Sequence, residues 1–191
     1  RWSWFQEDMQ LRAAYVEPEP LLYYRQVKRA WQLNEVQLSA LQKLCAWREN
    51  TARRLDVPRN RVIWDEHLLA FAQLPALTES TLANFLPAAV VRRFGAQLIE
   101  AYESESGSDS TIELLDRPLS PSQGARLKAL RDVAREVAAV FGLAPELLAR
   151  KKDVEACLRH FNATGELSEN YGGWRGEVVG NRFLSVLETA G

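Results

Sequence analysis

The chain has 191 residues, of which 47% are hydrophobic and 26% are charged, and its formal net charge is −1. This composition is typical of an ordinary soluble globular protein, and the length suffices for one or two domains with their own cores. The sequence contains no run of about 18 apolar residues and no signal-peptide pattern, which argues against a membrane-spanning helix and predicts a cytoplasmic protein.

Residues 1–30 are predicted to be connecting helices. Residues 2–15 have a helical composition with an aromatic cluster at Trp2, Trp4 and Phe5, and two closely spaced prolines, Pro18 and Pro20, end that helix. A second short helix is predicted over residues 21–29. Because the chain opens without a methionine and already reads as helix, we expect it to continue from a preceding domain on which these aromatic residues dock.

Residues 31–73 carry the strongest helical pattern. An apolar arc recurs at helical spacing, formed by Leu38, Leu41, Leu44, Cys45, Ala52 and Leu55. Asn34 followed by Gln37 predicts a capping box at the start of this helix, and Val57-Pro58 predicts its end. After a basic loop, Asp65 is predicted to cap a second helix.

One charged residue interrupts the apolar arc. Arg48 projects between Leu41 and Leu55, and burying an unpaired charge costs at least several kcal/mol, as an order of magnitude. We therefore expect Arg48 to pair with Asp65, Glu66 or Asp56, with Trp47 beside it as a further structural residue.

A polar segment separates the chain into two halves. Thr78 and Pro87 are predicted to open two further helices, the second reaching about Tyr102, which bounds a first domain at residues 31–103. Residues 104–119 form a predicted linker rich in serine and acidic residues, and six acids but no bases lie between Glu100 and Asp116. Its apolar residues Ile112, Leu114 and Leu115 are candidates for docking.

The second half, residues 120–191, repeats the first. Ser120, Pro121 and Gln123 predict another capped helix that ends at Gly142, followed by three shorter helices. Apolar positions recur 86 residues apart, and the matching pairs include Leu41 and Leu127, Leu44 and Leu130, Leu55 and Phe141, Val62 and Leu148, and Leu68 and Val154. The prediction is an all-α fold of two small helical bundles in tandem, joined by the acidic linker.

Two motifs resemble a known family. The pattern Leu38-x-x-Leu41-x-x-Leu44-x-x-Trp47-Arg48-Glu49, followed by Val57-Pro58 and Val62-Ile63-x-Asp65, resembles the HRDC domain of RecQ helicases and ribonuclease D. The segment Gly173-Trp174-Arg175-x-Glu177 is similar to the end of the ribonuclease D family, which carries two HRDC domains after an exonuclease domain. The resemblance implies the C-terminal region of a ribonuclease D, without its exonuclease domain.

A group of cations on the first repeat is the candidate nucleic-acid site. Its members are Lys43, Arg53, Arg54, Arg59 and Arg61, and arginine suits bidentate, salt-sensitive phosphate contacts. The positions 86 residues after the last four hold no charge. Val140 and Leu147 among them predict that the equivalent surface of the second repeat is buried against another part of the protein. Trp31 and Trp64 are candidates for stacking on bases, with packing over a helix junction as the alternative.

No catalytic or metal-binding group is predicted in this chain. Cys45 and Cys157 are expected to be reduced core cysteines, and His67 and His160 lack neighbours at metal-ligand spacing. The resemblance implies a 3′→5′ exoribonuclease that trims structured RNAs such as tRNA precursors. It places divalent Mg or Mn in the missing catalytic domain, and RNA and that domain as partners, with no membrane contact.

Two other functions are consistent with the pattern. In the first, the helices form a protein-interaction or scaffolding module that closes the exonuclease domain or contacts another protein, and the arginines are only solvated. In the second, the chain is the DNA-binding tail of a RecQ-type helicase. Two consecutive repeats and the Gly173-Trp174-Arg175 ending argue against the helicase.

Overall fold

The computed structural model describes residues 3, 4, 6, 9, 18–104 and 112–189, and all regular structure among them is helical. The chain divides into a first unit, Ala14–Arg117, and a second unit made of Arg1–Ala13 with Pro118–Gly191. Each unit has its own hydrophobic core. The predicted all-α fold of two helical bundles is therefore confirmed.

The first unit is built around one long helix. Its elements are 3-10 turns at Pro20–Gln26 and Ala30–Gln32, then α1 (Glu35–Leu55), α2 (Arg59–Val62), α3 (Asp65–Ala72), α4 (Glu79–Ala83) and α5 (Ala88–Glu103). The central helix α1 packs against the first 3-10 turn, α3 and α5. The turn α2 also packs against α1, whereas α4 packs against α5.

Local sequence signals set both ends of α1. The amide of Gln37 donates to the Asn34 side chain at 2.9 Å, and the Asn34 amide donates back to the Gln37 side chain at 3.2 Å. This predicted capping box is confirmed. The helix ends at Leu55 because Asp56 adopts a left-handed conformation with φ 52°, and Pro58 follows two residues later.

Two predicted details of the following segment are wrong. Residues 59–62, expected to be loop, form the helical turn α2. The residue that precedes α3 is Trp64, not Asp65, and no side chain caps that helix. The reason is that the Asp65 carboxylate bonds to Arg48 and is therefore not directed at the backbone amides of α3.

The second half of the acidic linker packs on the first unit. Ile112 and Leu115 contact its core, whereas Leu114 is exposed. Arg25 and Glu113 form an ion pair at 2.6 Å beside them. Docking of residues 112–117 thus extends the first unit beyond α5, and residues 105–111 lie outside the described residues.

The second unit repeats the helical order of the first. It contains α6 (Pro121–Phe141), α7 (Pro145–Leu148), α8 (Lys151–Thr164), a 3-10 turn at Glu169–Tyr171, α9 (Gly173–Arg175), a π-helical segment at Gly176–Gly180 and α10 (Asn181–Glu188). Both α6 and α7 begin and end 86 residues after α1 and α2, and α8 begins 86 residues after α3. Gly142 has φ 60°, so it ends α6 in the same left-handed conformation that Asp56 adopts after α1.

The aromatic N-terminal segment contributes to the second unit. The Trp4 ring stacks on Trp174 with centroids 5.1 Å apart and meets the edge of Phe141 at 5.6 Å. Trp4 therefore packs on the second helical core, whereas the sequence suggested a preceding domain as its partner. Trp2 and Phe5 lie outside the described residues.

Candidate nucleic-acid interface

A groove of about 830 Å³ opens on the first unit between the segment 26–32, α2 and α3. We call it the large groove. Its polar and aromatic lining includes Gln26, Lys28, Arg29, Gln32, Arg48, Arg59, Asn60, Trp64, Asp65, Glu66 and Gln73. Cations, amides and one tryptophan ring therefore share a single concave surface. Proteins that bind single-stranded nucleic acid combine a positively charged groove with aromatic rings in this way.

The lining of the large groove is net positive. Four basic and two acidic side chains line it, which leaves a formal charge of +2. Arg48 and Asp65 neutralise each other through an ion pair of 2.5 Å. The remaining charged side chains of the lining are one acid, Glu66, and three bases, Lys28, Arg29 and Arg59. The groove therefore attracts anions, and added salt screens this attraction.

Lys28 and Arg29 line the groove from a turn whose flanking residues on both sides are buried. Val27 and Ala30, the residues that flank them, are buried in the core of the unit. Arg29 has φ 68°, a left-handed conformation that is uncommon for a residue with a side chain. The turn thus exposes two consecutive basic side chains while the backbone beneath them is fixed by apolar packing.

Arg59 connects the large groove with a second one. Its guanidinium lies 5.5 Å from the centre of the Tyr23 ring and donates to the Gln26 side chain at 3.4 Å. Arg59 also lines a smaller groove of about 470 Å³ together with Tyr23 and Arg53. A planar guanidinium held over an aromatic ring keeps its outer N–H groups available for phosphate.

A buried ion pair supports the wall of the large groove. Arg48 is only 1% exposed as a whole residue, and its Nη1 donates to Asp65 Oδ1 at 2.5 Å and to the Ile63 carbonyl at 3.2 Å. These bonds tie α1 to the residues on either side of Trp64. Asp65 is thus the partner of Arg48 among the three carboxylates considered, and Trp47 packs edge-on against Phe94 of α5 at 5.9 Å.

The five cations proposed from the sequence do not form one surface. Arg53 and Arg59 line the smaller groove together, and Arg53 pairs with Glu49 at 3.3 Å. Arg54 lies in a different groove with Gln97 and Glu100, and Arg61 is exposed on α2 outside both lining sets.

Lys43 has an intramolecular role. Its Nζ donates to the carbonyl oxygens of Tyr102 at 2.8 Å and Ser104 at 2.7 Å, where it satisfies acceptors at the C-terminal end of α5. Partial burial lowers the pKa of the Lys43 ammonium. These contacts place Lys43 apart from the arginines of the two grooves.

Sequence reasoning missed Lys28, Arg29 and Asn60 as members of the site. The signal was present as a basic cluster at Arg25, Lys28 and Arg29, but it lies about thirty residues before Arg59 in the chain. Only the packing of the segment 26–32 beside α2 and α3 brings the two sets of cations to one groove.

The second unit does not repeat the groove chemistry. Positions 86 residues after Arg48, Arg59 and Trp64 hold Ala134, Pro145 and Arg150. Nothing among the described residues covers Val140 and Leu147, whose exposed fractions are 78% and 47%, so their burial against another part of the protein stays a prediction. Both side chains lie on the outer side of their helices, because the core of this unit takes Leu130, Ala138 and Leu148 instead.

Within the described ranges, two further features are absent. No group of three or more His, Cys, Asp or Glu side chains there is arranged to hold a metal ion. None of the helices in that part of the chain combines the length and apolarity needed to cross a membrane.

Comparison with known proteins identifies relatives for this arrangement. Residues 37–102 match the HRDC domain model. The chain is 38% identical over 180 residues to ribonuclease D of Pseudomonas paraeruginosa, covering 91% of this chain and 48% of the relative. Ribonuclease D of Serratia proteamaculans is 30% identical over 189 residues, covering 94% of this chain and 49% of the relative. Homology to ribonuclease D therefore extends over about nine-tenths of the chain.

A solved structure has the same fold. The crystal structure of Escherichia coli RNase D, an exoribonuclease involved in structured RNA processing, superposes with a TM-score of 0.73 at 26% identity. The match covers 96% of this chain and 50% of that structure. The chain thus spans about half the length of the relatives it matches.

Proposed function

We propose that this chain is the RNA-binding helical region of a ribonuclease D-like 3′→5′ exoribonuclease, and that it holds structured substrates such as tRNA precursors while their 3′ ends are trimmed. The proposal combines the HRDC match over residues 37–102 with the homology to ribonuclease D. Binding energy from a remote part of the substrate would position the reacting end.

The observation that carries the proposal is the large groove. Lys28, Arg29 and Arg59 come from separate segments and reach the same concave surface, beside exposed amide groups and Trp64. Each cation that meets a phosphate releases condensed counterions from the strand, which favours binding at low salt. Trp64 adds an exposed aromatic face on which a base could stack.

Hydrolysis is assigned to a catalytic domain outside this sequence. The divalent Mg or Mn ions that such an exonuclease uses would be held by acidic residues of that domain, because the described residues of this chain offer no suitable set of donors. We therefore expect the 191-residue chain to bind RNA without cutting it.

A salt titration tests the proposal. The Kd of the chain for a tRNA precursor and for a single-stranded oligoribonucleotide would be measured between 50 and 200 mM salt. Three phosphate contacts predict a slope of about −2 in log K against log salt for a single strand, or roughly a fifteenfold loss of affinity over this range. Replacing two cations, Lys28→Gln with Arg59→Gln, should leave one contact and a shallower slope of about −0.7.

A charge-matched control separates the groove from net charge. Arg92 on α5 and Lys128 on α6 are exposed and lie outside both groove linings. The Arg92→Gln/Lys128→Gln protein also loses two positive charges, and it should keep the wild-type slope. An equal loss in both double variants, or no binding by the wild-type chain at 50 mM salt, would contradict the proposal.

A protein-interaction role is the second candidate, and one observation favours it. Trp4, near the start of the chain, packs on Trp174 and Phe141, so the second helical core binds an aromatic side chain from a distant segment of sequence. Exposed Val140 and Leu147 add apolar surface to the same unit. If the wild-type chain binds no RNA but co-purifies with a catalytic domain supplied separately, this role is the better description.

A further inference from the structure

Trp64 is the most exposed tryptophan among the described residues, with 59% of its surface accessible. Its ring makes no aromatic or cation–π contact with any other described side chain, whereas the rings of Trp4, Trp47 and Trp174 each pack on another ring. The packing considered from the sequence therefore leaves more than half of the Trp64 surface uncovered. Covering this exposed aromatic surface with the face of a base would be favourable.

The backbone beneath Trp64 is held rigidly. Ile63, the preceding residue, is buried in the core, and its carbonyl accepts a hydrogen bond from Arg48. Asp65, the following residue, is ion-paired to the same guanidinium. The ring is consequently presented from a fixed backbone with little conformational entropy to lose on binding.

The surroundings of Trp64 fit one nucleotide. The large groove has a volume of about 830 Å³, within the range of small-molecule sites. Arg29 and Arg59 supply cations for a phosphate, and the exposed amides of Asn60 and Gln73 can donate to and accept from the edge of a base.

We propose that the large groove binds a single unpaired nucleotide of an RNA strand, with its base stacked on Trp64 and its phosphate held by Arg29 and Arg59. This inference rests on the proposed function and specifies the feature of the RNA that the first unit recognises. A base within a duplex is already stacked and paired, so its face is unavailable to Trp64, whereas bases of loops and single-stranded ends are free to stack.

The test uses the whole 191-residue chain and an oligoribonucleotide with 2-aminopurine at one central position, either single-stranded or annealed to its complement. Stacking of 2-aminopurine on an indole ring changes its fluorescence, so this signal reports the stack itself. We expect Trp64→Ala to weaken single-strand binding about five- to thirtyfold, in the lower half of the range for base–aromatic stacking. Duplex affinity should change less than about twofold by the same reasoning.

Two further variants keep the test specific. Trp64→Phe retains an aromatic face and should restore affinity to within about threefold of wild type, together with the fluorescence change. Val36→Ala removes another apolar side chain of the first unit that is 80% exposed and lies outside the groove, and it should bind as the wild-type chain does. Circular dichroism melts of each variant establish that the first unit remains folded.

The outcomes separate this inference from the proposed function. Unchanged single-strand affinity in Trp64→Ala, with binding lost in Lys28→Gln/Arg59→Gln, would overturn the nucleotide site and leave RNA binding by the groove intact. Equal weakening of single-strand and duplex binding in Trp64→Ala would also overturn it. If the wild-type chain binds neither the single-stranded oligoribonucleotide nor the duplex at low salt, both the nucleotide site and the proposed RNA-binding function are contradicted.

Discussion

The ion pair between Arg48 and Asp65 offers the sharpest test of the structure around the groove, because its two partners differ in burial. The Arg48 side chain is 2% exposed, whereas the Asp65 side chain is 42% exposed. Asp65→Ala would leave a guanidinium in the core with the Ile63 carbonyl as its remaining acceptor at Nη1. Arg48→Met would leave a carboxylate that water already reaches, while filling most of the vacated volume.

The two changes should therefore have unequal costs. Removing one partner of a fully buried pair costs about 3–5 kcal/mol, and the solvent exposure of Asp65 reduces our expectation to about 2–3 kcal/mol for Asp65→Ala. For Arg48→Met we expect about 0–1 kcal/mol, since an apolar replacement removes the desolvation cost of the charge. In a unit of this size, Asp65→Ala should lower the Tm by roughly 8–15 °C.

Thermal and urea unfolding followed by circular dichroism would measure these differences, with the transitions of the two units fitted separately. The exposed Asp132–Arg135 pair on α6, 2.8 Å apart, is the control, and Asp132→Ala should cost less than about 0.5 kcal/mol. A larger loss of stability in Arg48→Met than in Asp65→Ala would refute the argument, because it would mean that the buried charge is worth more than its desolvation costs.

Two further predictions concern glycine and cysteine. A Cβ on Gly176 would clash with the Tyr171 carbonyl oxygen, so Gly176→Ala should destabilise the second unit by about 1–3 kcal/mol. A Cβ on Gly124 of α6 meets nothing within 4 Å, so Gly124→Ala should stabilise the unit by up to about 1 kcal/mol. Urea midpoints of the two variants measure the contrast, and equal midpoints would contradict it. Burial raises the pKa of the Cys45 thiol to about 12, so it should resist alkylation at pH 8 until the first unit unfolds. Since the folded state keeps this proton above the unfolded value of 9.0, stability should fall as pH rises from about 9 towards 12, and rapid native-state labelling followed by mass spectrometry would contradict the burial.

Local signals in the sequence were sufficient for the helical framework. Asn34 with Gln37 and Ser120 with Gln123 place two caps 86 residues apart, and both caps form as predicted. These interactions join residues three positions apart, so the spacing alone determines whether their atoms meet. The same holds for the amphipathic face of α1, whose apolar residues recur with the helical period.

The composition of the candidate site depended on tertiary packing. Lys43, Arg53 and Arg54 all lie on α1. Lys43 nevertheless donates a hydrogen bond to the end of α5, and Arg54 lines a different groove from Arg53. Lys28 and Arg29 join Arg59 only because the segment 26–32 folds beside α2 and α3.

Sequence by itself determined the class of the fold, the tandem repeat and the start and end of the principal helices, because each follows from contacts within one or two turns. Tertiary structure alone decided which cations share a groove, which carboxylate neutralises Arg48, and that Val140 and Leu147 are exposed. Those outcomes depend on side chains 17 or more residues apart along the chain, whose distances are set by the packing of helices on one another and not by local spacing.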